Sequence, residues 1–486
     1  MIKFTLAFIC VLFYSNLSSQ IGFEFKMDRP EVDDVFGAAV CDSIGNLYVG
    51  YGYKLQNTNL PSGVAWIYKI DLDGDTLQFN YQKQDTTLFL LKPIIDNEEY
   101  LLLMGEGYRI DSIGNFSGKF QIFIKMTTSF EILWKRYYHL ESISEVVWTG
   151  LLAETSRNSY VYATIIEDIT TGNFRMSSFE LSKEGDSLDY FQHDPELLGL
   201  LYSITTNPID STILEYHLTI PVTGNNSSCG RLQLGDSFQY ISLEPYPELH
   251  FQNPFSTMNF RDQTYLSGGR FGFGSDYIQV RIMDSTLNVL KSVNLCYNED
   301  ETVPAWIKCI DYHNPDRIFV VGTSPYFSDY EPNYIYVACL DSGLAIIHEE
   351  YIGGDGHYDV FYMVATPDGG VAISGSYIDV SAEPLQKDGY LVKLDSSMFV
   401  GLPDYKMTEK EMLIEVFPSP AHGQVTISSN IANYYIKLLD LTGKVIMEHQ
   451  IRDKAENIDI SHLLPGLYLL NAKFGQFSNT QKLLIY

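Results

Sequence analysis

The chain has 486 residues, 45% of them hydrophobic and 14% aromatic, and carries a formal net charge of −29 at pH 7. Such a surface repels phosphate polymers and so argues against nucleic acid as a partner; cations, basic proteins and neutral glycans stay compatible with it. The acidity is uneven, because residues from Glu411 onward hold 6 Lys and Arg against 7 Asp and Glu, which leaves nearly all of the negative charge in the preceding segment.

Met1 to Gln20 joins Lys3 to an apolar run, Phe4 to Tyr14, and ends on the small residues Ser18 and Ser19. The run is too short to span a bilayer stably, and the arrangement is that of a secretory signal peptide over residues 1–20. Cys10 lies inside the apolar run, which speaks against a lipoprotein anchor. Five cysteines follow: Cys41, Cys229, Cys296, Cys309 and Cys339. An odd number at irregular spacing argues against a disulfide framework, and no pair has zinc-site spacing. They read as small buried residues, with a Cys296–Cys309 bridge as the alternative.

Residues 21–405 repeat. Val49-Gly50, Met104-Gly105, Ser267-Gly268, Val321-Gly322 and Ser374-Gly375 each end an apolar strand, and weaker copies end near Thr164 and Thr219. Successive marks are 55, 59, 55, 49, 54 and 53 residues apart. A second landmark, such as Trp66 to Asp71 or Gly389 to Asp395, follows each mark. A period of this size with about four strands in it is the signature of propeller blades. A lone blade cannot bury its faces, so neighbours stack and the ring closes. The clearest copy, Tyr351 to Asp395, reads as four short strands separated by turns such as Pro367 to Gly370. Gly22 to Lys26 stands before Asp33 and Asp34 as Ile346 to Glu350 stands before Gly353, Gly354 and Asp359. It is therefore expected to supply the outer strand of the last blade and to remove a free sheet edge. No helical periodicity appears; the mixed run Leu197 to Ile204 is too short.

Gly353 to Ser376 followed by Lys387 to Asp395 resembles a bacterial seven-bladed β-propeller repeat with the pattern G-G-x-G-x-D, D-x-x-G-N-x-Y-V-x-G and D-x-F-V-x-K-L-D. Asp34 to Gly50 and Trp66 to Asp71 match it too. The resemblance implies the fold and is nearly silent on function. The expected fold is therefore all-β, a seven-bladed β-propeller with a repeat of about 53 residues.

Three stretches of this region could carry chemistry. Asp71, Asp73 and Asp75 begin like a calcium loop, yet no distal acid follows at the spacing such a loop needs, and Asp-Gly is ordinary hairpin chemistry. His357 with Asp355 or Asp359 could form an acid–base pair or bind a metal, although a turn beside a strand accounts for the same residues. Gly268 to Arg270 and Phe271 to Gly274 alternate glycine with aromatics, either as a loop across the ring face or as an aromatic sugar platform. No catalytic residue, cofactor or metal is assigned from these. Asp42-Ser-Ile44 and Asp111-Ser-Ile113 are similar to a bacterial O-glycan acceptor pattern, which turn chemistry explains equally well.

Residues 406–412 read as a linker, and the pattern then changes. Leu413 to Pro420 reads as a strand stopped by two prolines, and five or six short strands follow before Tyr486, which suggests a small Ig-like β-sandwich over 413–486. This tail resembles the C-terminal sorting domain, type A, of type IX secretion cargo. The family motifs appear as Val416 to Ala421, Ile436 to Val445, Ile458 to Leu470 and Lys482 to Tyr486, with Ser419 where asparagine is usual. The matching positions are Pro418, Pro420, Asp440, Gly443, Asp459, Pro465, Gly466 and Tyr468; Gly443 and Gly466 are read as turn glycines. The resemblance implies passage through the periplasm, export by the type IX secretion machinery, and removal of the tail by a sortase-like enzyme, which leaves the protein secreted or attached to the outer-membrane surface. The functional expectation is an exported binding or adhesion module for a glycan or a host or matrix protein, without a cofactor. The alternative is a secreted polysaccharide hydrolase or lyase with acids at the channel.

Overall fold

A computed structural model describes residues 21–399 and 414–485, except for 30–31, 56–64, 72–73, 81–85, 89–91, 111–115, 140–144, 169, 171–172, 193–198, 207–212, 220–225, 235–237, 246–251, 272–276, 297–301, 327–329, 430–433, 441–443, 452–453 and 475–476. The chain divides into two compact units, Met1–Leu402 and Pro403–Tyr486. The expected signal peptide and the 406–412 linker lie outside the described residues.

Among the described residues the first unit is strands and two short 3-10 turns, arranged as seven antiparallel sheets of four or five strands. The first sheet is Val32–Cys41, Leu47–Leu55, Trp66–Ile70 and Thr76–Asn80, each pairing with the next. The third, Glu145–Glu154, Ser159–Asp168, Asn173–Ser182 and Ser187–Gln192, meanders in the same way. In the second and sixth sheets the leading strand is interrupted, so Thr86–Leu88 and Lys92–Ile95 share one partner, as do Val303–Pro304 and Ile310–Asn314. The run at Leu197 to Ile204 leads into a strand, Gly199–Thr206, that opens the fourth sheet.

The seventh sheet corrects one expectation and bears out another. Tyr351 to Asp395 holds the end of the sixth sheet's outer strand, Ile346–Gly353, and only three strands of the seventh: His357–Ala365, Val371–Ile378 and Lys387–Leu394. The fourth strand is Ile21–Met27, antiparallel to Lys387–Leu394, with Glu24 opposite Val392. The start of the described chain thus fastens its last sheet.

Every sheet packs on the next in sequence. The fifth, sixth and seventh share one apolar cluster that includes Val280, Val320, Val337 and Ile373. Phe36 and Val49 meet Ala372 and Leu391 where the seventh sheet meets the first. Tyr48 and Ile67 meet Leu103 and Ile122, Phe123 meets Tyr162 and Phe179, and Ala163 and Ile165 meet Ile204 at the next three seams. Between the fourth and fifth sheets the Thr257 N–H donates to Ser203 Oγ at 3.0 Å. The circle of seams is complete, and this unit is a β-propeller in architecture. Each fully buried Val, Leu or Ile contributes about 1.5–3 kcal/mol, and the seams are where those residues gather.

The repeat marks Gly268 and Gly322 lie in the seam between the fifth and sixth sheets. A Cβ on Gly322 would stand 2.6 Å from Ile278 of the fifth sheet, besides 2.4 Å from the Val303 carbonyl oxygen of its own paired strand, and one on Gly268 would stand 3.0 Å from Ile310 Cβ of the sixth. Gly268 to Phe271 belongs to the strand Tyr265–Phe271, hydrogen-bonded on both sides, so the loop expected there is a strand at least as far as Phe271; 272–274 lie outside the described residues. Cys41, Cys296, Cys309 and Cys339 are unbridged. Cys309 Sγ donates to the Gly268 carbonyl at 3.2 Å, and Cys296 Sγ lies 3.6 Å from the Tyr351 hydroxyl. Burial pushes both thiols up to about 12, which makes them inert.

The second unit contains seven strands in the order Val445–Ile451, Tyr434–Leu439, Gly466–Phe474, Phe477–Ile485, Ile414–His422, Gln424–Ser429 and Ala455–Asp459. Ile414, Val425, Ile427, Ile436, Leu438, Leu470 and Leu483 form its dry interior. The strand expected to stop at Pro418 and Pro420 runs through both to His422. Residues 414–417 pair with Gln424–Ser429, while Ala421 pairs in parallel with Ile485. Proline lacks an N–H for a ladder bond, and the two prolines occupy the irregular stretch between Phe417 and His422, where pairing with Gln424–Ser429 lapses before His422 meets Gln424 and Ala421 meets Ile485. The strand is interior to the sheet order and is no edge.

Candidate functional site

At the end of the ring where the inner strands begin, the seventh sheet and its two neighbours bring together exposed rings and charged groups. Trp306 and Tyr330 are 41% and 43% exposed. Trp306 rests on rigid backbone: its N–H donates to the Val360 carbonyl at 3.0 Å, and the Ile307 N–H donates to that of Phe361 at 2.8 Å. Those two bonds cross from the sixth sheet to the inner strand of the seventh. Tyr326 stands 6.0 Å from Trp306, ring centre to ring centre, at 70°. Tyr330 packs edge-on against His357 at 5.3 Å, and Lys387 Nζ lies 5.6 Å from the Tyr330 ring centre.

His357 is buried. Its Nδ1 donates to the Glu331 carbonyl at 3.0 Å and its Nε2 faces Asp359 Oδ1 at 3.4 Å. Lys387 Nζ holds the other Asp359 oxygen at 2.9 Å. Burial alone would raise the Asp359 pKa, but hydrogen bonds from His357 and Lys387 hold it below the usual carboxylate value. Of the two partners expected for His357, the structure brings Asp359; Asp355 instead accepts from the Tyr358 hydroxyl at 2.5 Å. Because His357 is covered, it anchors the rim and does not face a ligand.

On the other flank of the seventh sheet the carboxylates behave differently. Asp34 is fully buried; it accepts from the Arg29 N–H at 3.0 Å and from the Tyr51 hydroxyl. Burial outweighs both bonds and pushes its pKa up to about 6. Asp388 is pushed up to about 7, first by burial and then by the nearby charges of Asp28 and Asp34. Gln386 Nε2 ties this group together, donating to Asp28 Oδ1 at 2.9 Å and to the Arg29 carbonyl at 2.8 Å.

The sequence gives no sign of a second cluster, which lies at the opposite end of the inner strands between the second and third sheets. Asp96 accepts from Lys125 at 3.0 Å, Lys183 at 3.3 Å and the Tyr160 hydroxyl at 2.5 Å, and Lys183 also binds Glu154. Burial pushes the Asp96 pKa up, but these partners bring it below the ordinary value. Its members are up to 87 residues apart, so no local motif could have revealed it. An open cavity of about 410 Å³ lies beside it, lined by Arg157, Ser159, Glu180, Lys183, Glu184 and Asp189. Arg157 and Ser159 are both bonded to Glu180, so these walls satisfy one another.

The stretch that begins like a calcium loop holds the turn expected of Asp-Gly at Asp71, Gly74 and Asp75. The Asp75 N–H donates to Asp71 Oδ1 at 2.8 Å, and the Gly74 N–H to the Asp71 carbonyl at 3.1 Å; Asp73 lies outside the described residues. Asp42 is likewise occupied by its own turn, accepting from the Ile44 and Asn46 N–H groups.

In the tail, Asp440 accepts from the Lys444 N–H at 3.1 Å and Asp459 from the Ser461 N–H at 2.9 Å. The Tyr468 hydroxyl donates to the Leu464 carbonyl at 2.9 Å, across the turn that holds Pro465. Gly443 lies outside the described residues. The expectation that Gly466 must be glycine is not met: an added Cβ would find its nearest neighbour, in Tyr468, at an ordinary 3.8 Å.

Residues 415–486 match the family model of the secretion system C-terminal sorting domain. The tail is a secretion sorting domain. The protein it belongs to is accordingly exported, to the cell surface or beyond it, and engages the type IX secretion machinery. No curated protein matches the chain. Among solved structures it is similar to a protein of unknown function from Dyadobacter fermentans DSM 18053, with 11% identity, TM-score 0.45, and 76% of this chain and 98% of that one covered. It is also similar to the β-propeller domain of the Trilobed protease from Pyrococcus furiosus, with 10% identity, TM-score 0.42, and 77% and 99% covered. PorZ, a surface component of the type-IX secretion system of Porphyromonas gingivalis, aligns at 9% identity and TM-score 0.28 over 91% of this chain and 74% of that one. Likenesses this distant carry no argument, and the fold rests on the chain's own sheets. Among the described residues no helix is long and apolar enough to cross a membrane, and no group of three His, Cys, Asp or Glu could hold a metal ion.

Proposed function

We propose that the propeller is a binding module displayed outside the cell, and that its rim at the sixth and seventh sheets takes a neutral glycan or an uncharged segment of a host or matrix protein. The observation that carries this reading is the pair of exposed rings, Trp306 fixed by backbone hydrogen bonds to the seventh sheet and Tyr330 packed on the buried His357. An aromatic face offers apolar contact at little entropic cost and suits the C–H face of a sugar or a flat peptide segment. Lys387 and Asp359 stand beside the rings and are bound to each other, so the local charge is balanced within an otherwise acidic unit. Processing by a sortase-like enzyme at the 406–412 linker belongs to the same reading, since cleavage there would leave the ring at the surface or in the medium.

Probing glycan and host-protein arrays with the exported chain tests the proposal. Retention on a neutral glycan or matrix protein is expected, with a loss of about tenfold or more in affinity for Trp306→Ala, as for an aromatic anchor. Binding that survives Trp306→Ala and Tyr330→Ala together defeats it. The raised pKa values of Asp34 and Asp388 favour a second reading, a polysaccharide hydrolase or lyase in which one carboxyl stays protonated near neutral pH. Release of reducing sugar from the same array, abolished by Asp388→Asn, would replace the binding reading with this one.

A further inference from the structure

On a sheet whose other face is buried, outward residues should be polar. One half of the sorting domain's outer sheet face obeys this. Tyr435, Lys437, Asn471, Lys473 and Thr480 lie on neighbouring strands and point away from the core. The other half does not. Leu439 lies opposite Val445 on one side and Leu469 on the other, and one rung further on Leu467 lies opposite Leu484; Lys482, opposite Leu469 on the last strand, is a charged residue at the border of this half. Val445, Leu467 and Leu484 are 41%, 38% and 43% exposed, and Leu464, in the turn just before Leu467, is 78% exposed. Five apolar side chains in register on four adjacent strands make a contiguous band, unlike a scattered exposed leucine.

The band lies among the residues by which the domain is recognised as a sorting signal. The Leu484 N–H donates to Ser419 Oγ at 3.4 Å, between the two prolines; Asp440 follows Leu439 directly; and Gly466 to Tyr468 flank Leu467. Charge provides little long-range attraction, because this segment is nearly neutral while the rest of the chain carries the excess of acid. Recognition must then come from short-range apolar contact and shape, whose energetic centre is a small desolvated patch.

The geometry points to the band formed by Leu439, Val445, Leu467, Leu469 and Leu484, with Leu464 at its margin, as the surface by which the sorting domain docks on an uncharged, apolar protein surface of the export machinery. This inference rests on the assignment of the tail as a sorting domain and adds the face that is read. The polar half of the same sheet is left as the solvent-facing side of the docked domain.

The test uses the full chain, expressed in a bacterium that has the type IX machinery, with export followed by cell fractionation and surface proteolysis. L467N/L484N should accumulate in the periplasm, with surface and medium protein reduced about tenfold, the loss typical of a central apolar anchor. Tyr435→Ser, on the polar half, should be exported as the parent chain is. Both substituted leucines point to solvent, and protease resistance of the purified variant confirms folding. Should the double variant unfold, Leu464→Ser, in an exposed turn, replaces it with the same expectation. Normal export of a folded band variant overturns the inference. So does a parent chain that is a dimer in sedimentation, where L467N/L484N is a monomer and is still exported, since the band would then join two copies. A chain truncated at Met412 separates this failure from failure of the assignment: if the truncated chain reaches the surface, the tail is no sorting signal; if it stays in the periplasm while band variants are exported, only the docking face is wrong.

Discussion

The seam between the fifth and sixth sheets and the seam between the second and third solve the same problem with opposite chemistry. The first keeps its repeat glycines and closes by seating side chains of the facing sheet directly on them: Ile278 of the fifth sheet on Gly322, and Ile310 and Cys309 of the sixth on Gly268. In the second, the corresponding position of the third sheet is Thr164, and the gap is filled by aromatic rings, Phe123, Tyr162 and Phe179, capped by the ion cluster on Asp96. A tight seam needs one small residue at one place. A wide seam needs several large side chains that satisfy one another. The repeat is therefore conspicuous in sequence where packing is tight and fades where packing is wide, even though both seams are closed.

The comparison is broken most severely at Asp96. Asp96→Ala removes the shared partner of Lys125 and Lys183, whose side chains are only 5% and 7% exposed. Lys183 keeps Glu154 and Lys125 keeps Glu98 at 3.5 Å, so the loss should fall near or below the lower end of the about 3–5 kcal/mol that a broken buried pair costs, and urea unfolding of the exported chain should register it as a lowered midpoint. The triple change Asp96→Ala, Lys125→Met and Lys183→Met should recover much of that loss, because it removes the charges together with their partner. If the single and triple variants are equally unstable, packing rather than ion pairing holds this seam.

At the tight seam, Gly322→Ala inserts a Cβ 2.6 Å from Ile278 of the facing fifth sheet and 2.4 Å from the Val303 carbonyl oxygen of its own paired strand, which cannot rotate away. Overpacking of this kind costs about 1–3 kcal/mol. Thr164→Ala at the matching position of the wide seam should cost less, so the two unfolding midpoints, measured side by side, rank the seams. Equal shifts would mean that the fifth and sixth sheets separate easily and that the glycine is incidental.

What could be read from the sequence follows the same division. The steps between marks, the closing strand at Gly22 to Lys26 and the whole sorting motif were legible, because each depends on residues close together in the chain or on a position that tolerates only a small side chain. The Asp96 cluster was not, since its parts, Asp96, Lys125, Glu154, Tyr160 and Lys183, come from five separate strands and turns and none is unusual alone. Pro418 and Pro420 misled in an instructive way: a missing N–H ends a strand only where the ladder must be unbroken, and here the ladder lapses across the prolines and resumes at His422, with Ala421 paired to Ile485. Gly268 to Phe271 misled because glycine in a strand was read as a loop, when it marks close approach of a neighbouring sheet. Trp306 and Tyr330 carried no signal at all until the fold brought them to one rim.

A third seam, where the seventh sheet meets the first, falls between these extremes and provides the finest test. Its carboxylates are neither paired with lysine, as Asp96 is, nor absent. Asp34 and Asp388 face each other's charge together with that of Asp28, with Lys26 and Arg29 as the nearby cations. An Asp in the unfolded chain titrates near 3.9, whereas Asp388 in the fold titrates at about 7. Between roughly pH 4 and pH 7 the folded chain therefore binds the extra proton, so this group's contribution to stability falls as pH rises through that window. Asp359 and Asp368, held below the ordinary value by His357 and Lys387 and by Lys393, act oppositely and lose their contribution only as pH falls below the usual carboxylate range. The ring should accordingly be more stable near pH 5 than near pH 8. Asp388→Asn keeps the shape and removes the titration, so it should stabilise the chain at pH 8 by about 1 kcal/mol, discounted from the full shift because the group is partly exposed and screened. At pH 5 it should change the thermal midpoint little. An Asp388→Asn variant that retains the parent chain's full pH slope would show that the charge at this seam is relieved by water rather than by a bound proton, and the third seam would then belong with the tight one, closed by packing alone.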